Sequence, residues 1–98
     1  MKHIAIALHA GTPPLRNSLT EHLVAKKISF WHWIDDFWIL EVESETTPKQ
    51  FYKSLVEADA LDPKSTVLLF ELEGRLSYWG KADKAAWEWL SSIGYRSP

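Results

Sequence analysis

The sequence predicts an α+β domain in which two helices cover one side of a four-stranded antiparallel sheet. Three observations carry that expectation. The run Phe30 to Val42, FWHWIDDFWILEV, reads as a β-hairpin pivoting on Asp35-Asp36, because aromatic and β-branched residues suit a pleated, half-buried surface. Two amphipathic stretches, each opened by a threonine and a proline, lie on either side of it. Short apolar runs of strand length, His3 to Leu8 and Thr66 to Glu73, stand outside them.

In HIAIAL, Ile4, Ile6 and Leu8 point one way and His3, Ala5 and Ala7 the other, a strand with one bulky and one small face. Gly11-Thr12-Pro13-Pro14 breaks it. Thr12 is a suitable N-cap, and proline at the first helical position is preorganised. Leu15, Leu19 and Leu23, with His22 beside them, give a helix over about 13–26, and Lys26 and Lys27 complement the dipole at its end.

The second hairpin arm sets Trp38, Leu40 and Val42 against Phe37, Ile39, Glu41 and Glu43, whereas the first arm is apolar on both faces. Its turn lacks Asn-Gly or Asp-Gly, which leaves room for a longer loop. Thr47-Pro48-Lys49-Gln50 combines a threonine cap, a first-position proline and a third-position glutamine, the capping box. Phe51, Leu55 and Ala58 line the expected buried face of this second helix, with Tyr52 and Val56 at its margins. Leu61-Asp62-Pro63 ends it. In TVLLFELE, Leu68, Phe70 and Leu72 oppose Val67, Leu69, Glu71 and Glu73. Arg75 to Trp79 suits a short fifth strand or an irregular edge segment, Ala82 to Leu90 a third helix, and Gly94 to Pro98 a tail.

This β-α-β-β-α-β order is the ferredoxin-like plan, with both helices on one face and the strand order fourth, first, third, second. One domain is expected over residues 1–98, with 93–98 as the tail. The composition, 46% hydrophobic and 24% charged, is that of a globular chain, but six tryptophans are many for 98 residues. A net charge of −2 supplies no global field for nucleic acid. Without cysteine there is no disulfide, thiolate nucleophile or cysteine zinc site. No signal-peptide core or apolar run near membrane length is present, so a cytoplasmic protein with no membrane partner is expected.

The helices are expected to take the faces of Ile4/Ile6/Leu8, Trp38/Leu40/Val42 and Leu68/Phe70/Leu72. The second face would then carry Ala5, Ala7, Trp31, Trp33, Phe37, Ile39, Val67 and Leu69. Antiparallel sheets usually show water a polar second face, and a patch above about 300–600 Å² is uncommon on a monomer. Something should cover it. These eight residues are therefore the expected interface of a C2 homodimer, the most economical cover. The rival cover is the third helix, with Trp87 and Trp89.

The run W-H-W-I-D-D-F-W-I-L (Trp31 to Leu40), D-x-x-x-x-V-L-L-F-E-L (Asp62 to Leu72), Y-W-G (Tyr78 to Gly80) and A-W-E-W-L (Ala86 to Leu90) together resemble a family. It comprises the SinR-like and VapD-like solitary relatives of the small CRISPR-associated ferredoxin-like subunit, and the resemblance covers about residues 3–90. It implies a ferredoxin-like fold, a back-to-back dimer and a link to prokaryotic defence or toxin-antitoxin-type systems. Nuclease members of the wider family carry an aspartate at the end of the first strand, paired across the dimer to hold a divalent metal. Here the strand ends Ala7-Leu8-His9-Ala10-Gly11, with His9 in that place. A hard Mg²⁺ prefers oxygen ligands, which argues against the nuclease activity.

The remaining chemistry is sparse. His3, His9, His22 and His32 form no ligand spacing, and no cofactor is expected. His9, in a loop at a strand end, and Asp35 are the only candidate catalytic residues, those of a divergent metal-dependent nuclease or toxin. Asp35 and Asp36 are otherwise accounted for as turn residues, and Glu41, Glu43, Glu71 and Glu73 as a solubilising rim. Trp31 and Trp33 would suit base stacking, yet few cations accompany them. The expectation is thus a non-catalytic, dimeric interaction module with a second copy or another protein as partner. Nucleic acid ranks behind these, and a small ligand in an aromatic dimer seam is a further alternative.

Overall fold

The computed structural model describes residues 1–73 and 79–93. The elements are β1 (Lys2–Leu8), α1 (Pro13–Ala25), β2 (Phe30–Ile34), β3 (Phe37–Val42), α2 (Pro48–Glu57), β4 (Val67–Leu72) and α3 (Lys84–Ser92). The strands form one antiparallel sheet in the order β2-β3-β1-β4, the ferredoxin-like arrangement expected from the order of elements. The segment anticipated over Arg75 to Trp79 lies outside the described residues apart from Trp79, and so does the tail from Gly94 to Pro98.

The first face of the sheet holds the main core. Ile4, Ile6 and Leu8 of β1 and Trp38, Leu40 and Val42 of β3 pack against Leu19 and Leu23 of α1 and Phe51 and Leu55 of α2. Each fully buried side chain of this size contributes roughly 1.5–3 kcal/mol of transfer free energy. The Trp38 indole N–H donates to Thr20 Oγ1 at 3.3 Å, so the largest buried side chain leaves no polar group unpaired.

Both helices begin as the caps dictate. Thr12 Oγ1 accepts from the Leu15 N–H, and Thr47 and Gln50 make both bonds of the capping box at 3.1 and 3.0 Å. Both also end alike. Lys27 (φ 58) and Asp59 (φ 56) adopt the left-handed conformation. Ile28 N–H then reaches back to Leu23 O, and Ala60 N–H to Leu55 O, the six-to-one bond of a Schellman motif. Ala58, expected on the buried face, is exposed because the helix has already ended. Ala60 and Leu61 fill that part of the core instead.

In the hairpin, Ile34 pairs with Phe37 around Asp35-Asp36, and the register slips between Trp31 and Ile34. Neither aspartate has positive φ, so the turn is not type I′. A β-bulge in β2 supplies the extra twist that such a turn does not.

On β4 the expected facing is reversed. Val67 and Leu69 pack on the helical core, whereas Leu68 and Phe70 are exposed on the second face. The register against β1 explains this: Leu8 meets Val67, Ile6 meets Leu69, Ala7 meets Leu68 and Ala5 meets Phe70. Paired residues share a face, so large β1 side chains neighbour the smaller pair of β4, and alanines make room for leucine and phenylalanine. Val67 and Leu69 therefore leave the second-face set proposed from the pattern.

On that face α3 covers the β2–β3 half. Ala86 and Leu90 pack on Trp31 and Ile39, with Phe37, Leu72 and Trp89 around them. The Trp31 indole donates to Ala86 O at 3.2 Å, and that of Trp89 to Ser29 Oγ at 3.0 Å.

Candidate functional site

Where β1 ends, the chain is tied to the hairpin turn. The Asp36 backbone carbonyl accepts from Leu8 N–H at 2.8 Å, which extends the β1–β3 ladder into the turn. Its carboxylate accepts from Arg16 Nε at 2.9 Å and from Gly11 N–H at 3.3 Å. Arg16 also donates to the Gly11 carbonyl at 3.0 Å. A side chain at Gly11 would run into Asp36 Oδ1 and lie 2.8 Å from Leu8 Cδ2, so any other residue there would have to displace Asp36 or Leu8. The Arg16 hydrogen bond, helped by the Gly11 amide and opposed by burial, holds the Asp36 carboxyl below the usual range, and the same bond raises Arg16. This carboxylate is occupied as a clamp.

The residues proposed for catalysis stand apart from the clamp. Asp35 has 83% of its side chain exposed and comes only within 3.9 Å of Arg16. The exposed His9 is fixed by its backbone, whose N–H donates to Thr66 O at 3.0 Å. Ala10 beside it is left-handed (φ 51), a turn that re-aims the chain toward α1. Among the described residues, no group of three His, Asp or Glu side chains is placed to hold a metal ion. His32 stacks on Trp38 at 4.3 Å with rings 13° apart, and its Nε2 lies 2.9 Å from Asp35 O. A carbonyl only accepts, so that nitrogen carries the proton.

Arg16 was missed in the sequence, although a signal existed. A cation in the first turn of a helix opposes the macrodipole, and α1 has no acidic residue there to offset it. Such a residue needs an anion from elsewhere, and Asp36 is that anion.

The second face divides into two halves. Over β2 and β3, Trp31, Phe37 and Ile39 are taken up by α3, which fills the aromatic strip where a dimer seam had been expected. Trp33, displaced by the bulge, remains 45% exposed. Over β1 and β4, Ala5 is covered, Ala7 is half-buried, and Leu68 and Phe70 are 60% and 37% exposed. A groove of about 230 Å³ runs along this half past Ala7, His9, Thr66 and Leu68.

On the helical side, a groove of about 420 Å³ has Ile28 and Phe51 as apolar walls and His22, Lys26 and Glu57 as polar ones. Burial, and then Lys26, lowers the His22 pKa. Among the described residues, no helix is long and apolar enough to cross a membrane. Comparison of the chain with protein-family models, with curated proteins and with solved structures finds no match.

Proposed function

We propose that the protein is a non-catalytic interaction module that works as a dimer of identical chains. Its contact surface is the β1–β4 half of the second sheet face. The observation that carries this reading is the exposure of Leu68 (60%) and Phe70 (37%) side by side on a strand whose neighbours on that face are alanines. Apolar side chains grouped this way mark contact surfaces more often than scattered ones do. The engagement of Asp36 by Arg16 supports the non-catalytic part, since it leaves Asp35 without a second free carboxylate beside it in the turn. The sequence resemblance supports a setting in prokaryotic defence or toxin-antitoxin-type systems.

Light scattering on the wild type and on Leu68→Glu/Phe70→Lys tests the reading. A wild-type dimer that becomes a folded monomer is the expected result, and a monomeric wild type at all concentrations overturns it. The rival reading is probed with Mg²⁺ or Mn²⁺ and labelled RNA or DNA. Cleavage that disappears in His9→Ala or Asp35→Asn would replace the binding module with a nuclease.

A further inference from the structure

We propose that the outer edge of β4 pairs antiparallel with β4 of a second copy, merging two four-stranded sheets into one continuous sheet. This rests on the dimer reading above and specifies its geometry. The hydrogen-bonding phase of β4 follows from one contact: His9 N–H donates to Thr66 O, so Thr66 faces β1. Backbone groups alternate sides along a strand. Leu68 and Phe70 therefore bond to β1, and Val67, Leu69 and Glu71 turn their N–H and C=O outward. No hydrogen bond among the described residues occupies those outward groups.

The two edges of the sheet differ in a way that selects β4. On β2 a bulge interrupts the register and α3 packs against Trp31, both devices that blunt an edge. On β4 the register runs unbroken from Val67 to Leu72. VLLFEL contains no proline, lysine or bulge. An unbroken, largely apolar edge of this kind templates another strand.

The chemistry of the edge fits a second copy. A two-fold axis through Leu69 sets Leu69 opposite its counterpart with two exchanged hydrogen bonds. Val67 then faces Glu71 of the copy, and Leu68 faces Phe70 of the copy. Glu71 of the copy, held by its own Lys2 at 2.7 Å, arrives beside Val67, where Lys49 and Tyr52 border a groove of about 200 Å³. The two Glu71 carboxylates lie at opposite ends, so like charges do not meet. Stacking of the two second faces in full overlap is obstructed by α3 on the β2–β3 half, because a helix is about 10–12 Å thick and packed sheets lie only about 10 Å apart, whereas edge pairing brings Leu68 against Phe70 of the copy on the open half. A single strand pair is a small interface, below about 1,200 Å², so the dimer is weak and concentration-dependent.

Amide hydrogen exchange on the full chain, in dilute and concentrated samples, tests the pairing. Protection of Val67, Leu69 and Glu71 amides should rise with concentration, while Leu68 and Phe70, already bonded to β1, change far less. Leu69→Pro removes the one outward-facing donor at that position, which an edge strand tolerates, and exchanges a side chain that packs on the helical core. It should weaken dimerisation about tenfold or more through the loss of both Leu69 bonds. Protection independent of concentration overturns the proposal; because this readout uses the wild type, it stands even where Leu69→Pro fails to fold. A wild-type dimer that survives Leu69→Pro but not Leu68→Glu/Phe70→Lys, with no new protection on β4, overturns the edge geometry and leaves the dimer reading intact. A monomeric wild type removes both.

Discussion

The two faces of the sheet are closed to different depths. Two helices with side-chain caps at their starts and Schellman turns at their ends seal the first face over twelve buried residues. Among the described residues one helix closes the second over four, and its N-cap residue, Asp83, makes no side-chain capping bond. The difference teaches where to look for function. The first face is redundant in its specification, so it serves stability, while the half-closed second face keeps apolar side chains available for contact.

The largest expected effect lies on the first face. Trp38→Ala should cost about 3–5 kcal/mol, enough to approach global unfolding, read from denaturant melts. Leu90→Ala on the second face removes a similar kind of contact but should act locally, with protection lost in α3 and a much smaller shift in the global midpoint. If Leu90→Ala lowers the global midpoint as far as Leu55→Ala does, the two faces unfold as one unit and the comparison fails.

The Asp36 clamp bridges the sheet and the β1–α1 loop, and its contribution depends on pH. The folded-state pKa of Asp36 is depressed by Arg16, so the folded state binds the proton less readily than the unfolded chain. Its stabilisation is present above the ordinary carboxylate value of about 4 and is lost as pH falls from there through the folded value. Acid melts of wild type and Asp36→Asn should converge at low pH and separate near neutrality. Gly11→Ala, which pushes a methyl into Asp36 and Leu8, should cost about 1–3 kcal/mol at neutral pH.

Smaller effects concern helix ends. Thr47→Ala removes one side of the capping box and should cost about 1 kcal/mol in a thermal or denaturant melt. Asp59→Gly relieves a left-handed backbone (φ 56) and should raise stability by a few tenths to about 1 kcal/mol. A loss there would mean that Asp59 makes a compensating contact.

Most of the fold was legible because independent signals agreed. Alternation in His3–Leu8, the threonine-proline starts and the capping box at Thr47 all pointed to the same order of elements. The facing of β4 was not legible, because Val67, Leu68, Leu69 and Phe70 are apolar in succession and a period of two then carries no information. Only its pairing with the small face of β1 decides the matter. The Arg16–Asp36 clamp spans 20 positions, and no local spacing encodes it beyond an arginine in the wrong turn of a helix. In the sequence Asp35 reads as half of a carboxylate pair, but the turn sends it to solvent and its neighbour inward.

The central claim is that the working surface is the β1–β4 half of the second face. A dilution series of ¹⁵N-labelled wild type, followed by amide chemical shifts, tests it most directly. The account predicts concentration-dependent shifts at Ala7 and from Val67 to Glu71, with Trp31, Ala86 and Leu90 unchanged. Shifts centred on the α3 seam, or none across the series, would contradict it.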